Sequence, residues 1–401
     1  MASISCEDAA SELLRQSVGA GDWNPDLALQ LGRPECADDL FRILIEGLAD
    51  RFESRLCDVY AAIFSLILEH VFPELHAAEL LSRYQRIRRP RPVTFQPKRV
   101  AVLSRVTLGA DIAITSVLLA AAAKRFPHAE IWFAGSAKAA QLFAGSTRVQ
   151  HLDIPYVRGT IPQRVSAWRN LAQLFEDQDW LVIDPDSRLT QLGLLPVAED
   201  HRYLFFESRS YGGDSPDSLT NLAKQWAAET LGVEECENRI APPPQPRPFD
   251  PPFATVSLGT SENPSKQMSP ELERDLIRDI AAHFPNVIVD RGFGEEEAAR
   301  VEHAIAGTGA VAWSGSFAAF ASIIRSSACY VGYDSAGQHA AAAFGVPLIT
   351  LFRGFVNDRM FARWQPTGPG PKQILKIHPG VADVSIAASI KAALSSSFSR
   401  L

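Results

Sequence analysis

Four short polar turns, each placed directly after an apolar run, carry the residue types that could do chemistry. The first is Tyr333-Asp334-Ser335-Ala336-Gly337-Gln338-His339, between the run ACYVG and the alanine-rich stretch HAAAAFG. Small residues at a helix start leave backbone N–H groups uncovered, and the helix dipole adds positive potential, so a diphosphate can be held there without a lysine in the turn. Asp334 would stand at the rim and accept hydrogen bonds from sugar hydroxyls. The same residues also suit a plain helix cap, with His339 as a satisfied core residue. The second turn is Gly259-Thr260-Ser261, with Lys266 close behind. Its hydroxyls and N–H groups suit phosphate oxygens, and Lys266 supplies the positive charge that a metal-free site needs to stabilise a departing nucleotide diphosphate. A polar surface loop with a solvated lysine reads the same way.

The third turn, Leu108-Gly109-Ala110-Asp111, offers one carboxylate after the run RVAVLSRV. A lone carboxylate facing a cleft is what an inverting group transfer requires of its general base, because the attacking oxygen must lose its proton. An N-cap for the helix that follows is the alternative. The fourth, Gly292-Phe293-Gly294-Glu295, places a glutamate where ribose hydroxyls are bound in dinucleotide sites, although Glu295 also suits the first turn of a helix. Asp184-Pro185-Asp186 imitates a metal-binding DxD pair, a pattern short enough to arise by chance, and nearby Arg188 reads better as an acceptor or interdomain contact.

These turns need rigid strands behind them, and the chain provides two successive sets. Residues 1–95 show apolar positions at three- and four-residue spacing and read as an all-α N-terminal extension, ending in the connector RIRRPRPVTFQPKR. Residues 96–240 alternate apolar runs (RVAVLSRV, IWFAG, WLVID, YLFFES) with helical stretches, the rhythm of a Rossmann-like, doubly wound domain with a parallel sheet. The segment 241–252, APPPQPRPFDPP, cannot continue a helix or a central strand and marks a linker. Residues 253–380 restart the rhythm with FATVSLG, NVIVDRG, AVAWSG, ACYVGYDS and PLITLF, giving a second Rossmann-like domain. Residues 381–401 read as an amphipathic helix that crosses back to close the two-lobed body.

Composition excludes several classes. The chain has 401 residues, 46% of them hydrophobic and 21% charged, as an ordinary globular protein does. A net charge of −7 argues against nucleic acid as a partner, since that affinity comes from neutralising phosphates. The local exception, Arg83, Arg86, Arg88, Arg89, Arg91, Lys98 and Arg99, is either a solvated linker or a patch for an acidic acceptor or anionic lipid heads, which leaves a peripheral membrane contact open. Five scattered cysteines without a CxxC pair indicate neither a disulfide framework nor a zinc site and fit a reducing cytoplasm. The N-terminus MASISCEDAASELL lacks the positive start of a signal peptide, and the run Ala61 to Phe72 is too short to span a bilayer.

Taken together, the turns resemble glycosyltransferase family 9, the ADP-heptose:lipopolysaccharide heptosyltransferases and their relatives. VGYDSAGQHAAAAFGVPLITLF is similar to the family's strand, Asp-Ser/Thr-Gly-x-x-His, alanine-rich helix, Gly-x-Pro, strand signature. RVAVLSRVTLGADIAITSVLLAAAAKRFPHAEIWFAG resembles its opening strand, Gly-Asp turn and following helix. The resemblance implies a two-Rossmann (GT-B) fold and an inverting, metal-independent transfer of a heptose-like sugar from an ADP-sugar, without a cofactor, to a saccharide, lipid-linked or protein acceptor. It implies Asp111 as the base, Lys266 as the donor-binding lysine, Asp334 on the transferred sugar, Ser335, Ala336 and Gly337 on the diphosphate, and Gly315 and Ser316 near the nucleotide base. The chain departs from the family at three points: Ala110 is interposed before Asp111, Ala336 stands where a glycine is usual, and Phe293 and Glu295 compete for the ribose position. A nucleotide-sugar epimerase on the same fold and a non-catalytic nucleotide-sugar-binding protein are the rival expectations.

Overall fold

The computed structural model describes residues 4–19, 22–260 and 263–398. Ser261, a candidate phosphate-binding hydroxyl, lies outside the described residues. The first sheet comprises β1 (Arg99–Leu103), β2 (Glu130–Gly135), β3 (Val149–Asp153), β4 (Trp180–Asp184) and β5 (Tyr203–Phe205), in the spatial order β3-β2-β1-β4-β5. The second comprises β6 (Ala254–Ser257), β7 (Val287–Asp290), β8 (Val311–Trp313), β9 (Cys329–Tyr333), β10 (Leu348–Phe352) and β11 (Lys372–Lys376), in the order β11-β10-β9-β6-β7-β8. Every pairing is parallel. In both lobes the chain lays three strands outward, then returns to the far side of the first strand, so each sheet has a switch point, β1/β4 in one and β6/β9 in the other.

The strands alternate between two dry faces. In β1, Val100 and Val102 pack with the helices Ser116–Arg125 and Leu219–Leu231, whereas Ala101 and Leu103 face the opposite side. That opposite side is covered largely by the N-terminal helices: Tyr60, Phe64 and Tyr84 share one core with Ala101, Leu103, Val182 and Phe205. The N-terminal region is helical, as its periodicity predicts, with Ser54–Val71 and Ala77–Ile87 its longest uninterrupted pieces against the sheet. It is not an appendage, because it supplies a layer that a doubly wound sheet requires. No helix among the described residues is long and apolar enough to cross a membrane.

Three sequence expectations are corrected. The C-terminal helix Asp383–Phe398 does not cross back: Ile386, Ile390 and Leu394 join the outer core of the second lobe, where they meet Leu276 and Ile280. Cys6 and Cys36, with Cα atoms 5.2 Å apart, form a disulfide, while Cys57, Cys236 and Cys329 are free and buried. Most of the basic cluster is consumed internally: Arg83 and Arg86 share Asp200, Arg88 binds Asp58 and Glu207, Lys98 binds Asp179 and Arg99 binds Asp177. Arg91 donates to the Tyr203 carbonyl.

The lobes meet along the carboxyl edges of their sheets. At one end, Arg363 donates to the carbonyls of Gly213, Ser215 and Asp217 in the loop after β5, at 2.6–2.8 Å. In the middle, the turn after β1 touches the helix after β9: a methyl built on Gly109 would lie 3.5 Å from both Ala336 Cα and His339 Cδ2. At the other end, Lys138 after β2 sits 5.4 Å from the centroid of the Phe293 ring, after β7.

Candidate active site

On the second lobe, the turns after β6 and β9 stand side by side because these strands are neighbours across the switch point. Lys266, on the 3₁₀ turn Pro264–Lys266, donates to Asp334 Oδ2 at 2.8 Å and to the Asp334 carbonyl at 2.9 Å. The other carboxylate oxygen of Asp334 takes the Gln338 amide. Lys266 and Asp334, two residues picked out separately in the sequence, therefore form one unit at the start of the helix Ala336–Phe344. Ser335 adopts extended backbone there and makes no side-chain cap, so the first N–H groups of that helix have no cap from their own turn. Gly337 has an internal reason to be glycine: a methyl on it would come within 2.1 Å of the Tyr330 hydroxyl oxygen. Its displacement by one place from the family pattern thus follows the tyrosine beneath the helix. His339 is buried, and burial pushes its pKa down to about 4, so it is neutral near pH 7. Thr260 is buried beside Gln267, at 3.3 Å.

The turn after β7 brings a different glutamate to the turn after β6. Glu295 is exposed at the first position of the helix Glu295–Ile305. Glu297, two residues on, reaches back: it accepts from the Phe293 N–H at 2.8 Å, and a methyl on Gly259 would lie 2.7 Å from its Oε1. Glu297 thus joins the turns after β6 and β7, and the run of three glutamates hid which one does so. Gly315 and Ser316 follow the edge strand β8, with Ser316 capping the helix Phe317–Ile324 and the Trp313 ring lying where a Gly315 side chain would be.

On the first lobe, Asp111 begins a π-helical turn, Asp111–Thr115, inside an otherwise continuous helix. A π turn absorbs one extra residue, so the interposed Ala110 is accommodated without breaking the helix. The carboxylate, however, is turned back onto β1 and not toward the gap. It accepts from Ser104 Oγ at 2.7 Å, the Arg105 N–H at 2.7 Å and Thr115 Oγ1 at 2.8 Å, and Asp111 is wholly buried. Burial, opposed by these hydrogen bonds, pushes its pKa up to about 6. In this arrangement Asp111 fastens the turn that holds Val106 at φ 74°, a strained value for a β-branched residue.

The DxD pair is equally enclosed. Asp184 is fully buried and receives Thr190, Tyr203 and the Ser187 N–H, and Asp186 is held by Arg105 and Arg209. Among the described residues there is no group of three or more His, Cys, Asp or Glu side chains arranged to hold a metal ion. Arg188 pairs with Glu46 of the N-terminal helices at 3.0 Å. The pair walls a cleft of about 680 Å³ that also takes in Phe41, Gln163 and Arg164. Sequence reasoning missed this participation of the N-terminal region, including Asp50, which lies in the field of Arg209, Arg188 and Lys266. It also missed Arg105 and Arg209, which no short motif marks.

Residues 187–378 match the model of glycosyltransferase family 9 (heptosyltransferase). No curated protein sequence matches the chain. Among solved structures it is similar to E. coli heptosyltransferase WaaC with ADP, at 16% identity and TM-score 0.55, over 75% of this chain and 99% of that one. It is also similar to the family 9 glycosyl transferase from Veillonella parvula DSM 2008, at 14% identity and TM-score 0.54, over 75% of this chain and 91% of that one. E. coli WaaC with ADP-2-deoxy-2-fluoro heptose gives TM-score 0.53 at 16% identity, over 74% and 99%. The two parallel sheets with their facing switch points give the chain the two-lobed GT-B fold of these structures, and the family match leads to one conclusion: residues 187–378, the end of the first lobe and nearly all of the second, form a glycosyltransferase family 9 domain.

Proposed function

We propose that the enzyme transfers a sugar, with inversion and without a metal ion, from a nucleotide diphosphate held by the second lobe to an acceptor hydroxyl presented from the first. The observation that carries this reading is the Lys266–Asp334 unit at the uncapped start of the helix Ala336–Phe344. A departing diphosphate needs positive charge and fixed N–H groups where its oxygens arrive. Lys266 supplies the charge, the N–H groups of Ala336 and Gly337 supply the dipoles, and Asp334 is left to take sugar hydroxyls. Glu297, beside Gly259, is placed for the ribose, and Gly315 and Ser316 for the base. The structure of WaaC with ADP supports an adenine nucleotide as the first donor to try, and the complex with a fluorinated ADP-heptose supports a heptose.

The acceptor enters on the first-lobe side, where the Arg188–Glu46 cleft mixes both charge signs with Phe41. Such a lining suits a polar, hydroxyl-rich partner: a saccharide, whether free, lipid-linked or on a protein. The test is a thermal-shift series against nucleoside diphosphates and their sugars. A donor at about 100 times its dissociation constant adds about 2.7 kcal/mol of stability. ADP and ADP-heptose are expected to raise the melting temperature with EDTA present as well as absent. Stabilisation that requires magnesium or manganese would end the metal-free reading.

A further inference from the structure

The geometry points to Asp50, from the helical region that precedes both lobes, as the carboxylate that receives the acceptor's proton, an inference that rests on the transfer proposed above. The helix Glu46–Ala49 ends at Asp50, whose N–H bonds the Glu46 carbonyl at 2.9 Å, so the two side chains share one helix face. Glu46 shows where that face looks, since its Oε1 meets Arg188 at 3.0 Å in the loop after β4, at the first lobe's switch point. Leu48 and Ala49 line the same small cavity as Asp186 and Arg209. The next two residues reach the donor lobe. Asn357 donates to the Arg51 carbonyl at 3.3 Å, and Arg359 donates to the Phe52 carbonyl at 2.9 Å. Phe52 is held at φ 54°, with its ring edge-on to Trp364, and Trp364 in turn packs on His339. Residue 50 is therefore bracketed, with the acceptor lobe on one side and the donor lobe on the other.

Charge agrees with this placement. Arg209 and Arg188 from the first lobe and Lys266 from the second all act on Asp50, and Glu46 opposes them. Asp50 is half-buried, yet its side chain accepts no hydrogen bond from the described residues, whereas all three bonds to Asp111 are already made. Burial pushes the Asp50 carboxyl above its ordinary range, toward the basicity that proton abstraction near neutral pH uses. In the reaction, the acceptor O–H proton moves to an Asp50 oxygen while the acceptor oxygen bonds the anomeric carbon. The bond from that carbon to the diphosphate oxygen breaks, and its electron pair leaves with the diphosphate onto Lys266 and the helix start.

The experiment uses the full chain, wild type and with Asp50→Asn or Asp50→Glu. ADP is the binding probe, and ADP release from ADP-heptose, with water as acceptor, is the turnover probe. In Asp50→Asn, release is expected to fall by about 100-fold or more. ADP affinity is expected to hold or tighten, because a negative charge near Lys266 is gone. Asp50→Glu is expected to recover part of the rate. Turnover of Asp50→Asn within about threefold of wild type would overturn the inference. So would a parallel loss of ADP affinity and melting temperature, which would mark a structural role. A wild-type chain that neither binds ADP nor releases it from ADP-heptose sinks the donor assignment and this inference together. An active wild type beside an equally active Asp50→Asn sinks this inference alone.

Discussion

Lys266 Nζ lies 2.8 Å from Asp334 Oδ2, joining the turn after β6 to the turn after β9 across the switch point of the second sheet. The pair is largely buried, with 15% and 7% of the two side chains exposed, so neither charge is well solvated. Removing the lysine leaves a carboxylate facing the place where a diphosphate would sit. Lys266→Ala is expected to weaken ADP binding and to lower turnover by about 100- to 1,000-fold, the range for losing one group that stabilises developing charge. Titration calorimetry with ADP and a rate measurement check it, and an unchanged ADP affinity would remove Lys266 from the donor site.

Gly337 and Tyr330 make a paired test. A methyl at 337 meets the tyrosine hydroxyl oxygen at 2.1 Å, so Gly337→Ala must displace one of them. Overpacking of this kind costs about 1–3 kcal/mol. The ring carbons Cζ and Cε2 would lie at 2.6 and 2.8 Å as well, so Tyr330→Phe, which removes only the oxygen, is expected to regain part of the loss in urea melts of the double variant. Equal destabilisation in single and double variants would show that the contact is not the reason for the glycine.

Asp111 yields a pH-dependent effect of definite sign. Its folded pKa, pushed up by burial to about 6, lies above the ordinary value of 3.8. Between those values the folded chain keeps a proton that the unfolded chain has lost, so this group's contribution to stability is full below pH about 4 and declines toward pH about 6. Asp111→Asn removes that dependence. The stability of wild type relative to the variant is expected to be greater at pH 4 than at pH 7, by up to about 3 kcal/mol. A difference that grows with pH would mean that the carboxylate is stabilised as an anion.

The Cys6–Cys36 disulfide closes a segment with a sequence separation of 30. Replacing both cysteines by serine is expected to lower stability by about 2–4 kcal/mol, since the unfolded chain regains loop freedom. Denaturant melts with and without reductant check it. The serine variant should be indifferent to reductant, and a wild type equally indifferent would argue that the bond is dispensable.

The sequence made the central strands visible and concealed one edge strand of each sheet. Runs such as WLVID and ACYVGY are buried on both faces, so nearly every residue is apolar and the strand stands out. Val149–Asp153 and Lys372–Lys376 lie at the edges of their sheets, carry His151, Gln150, Lys372 and Gln373, and look like loop until they are paired. The neighbours Lys266 and Asp334 were legible because they sit in short turns directly after visible strands. The residues gathered at the first lobe's switch point were not. Asp50, Arg105 and Arg209 come from three separated segments, and their approach depends on how the N-terminal helices dock on the first sheet. Asp111 was found by its position in the chain, but its orientation depends on Ser104 and Thr115, which no local pattern ties to it.

The two ends of the junction between the lobes differ in strength. At one corner a single guanidinium, that of Arg363, is threaded into three carbonyls of the opposite lobe. At the other corner a lysine merely hovers over a phenyl ring that is 89% exposed. Parting the lobes at the first corner means stripping a buried guanidinium of three part-buried acceptors at once, while parting them at the second breaks one exposed contact. The junction is therefore built like a clasp, fastened by the loop after β5 and loosest at Phe293, at the end of β7.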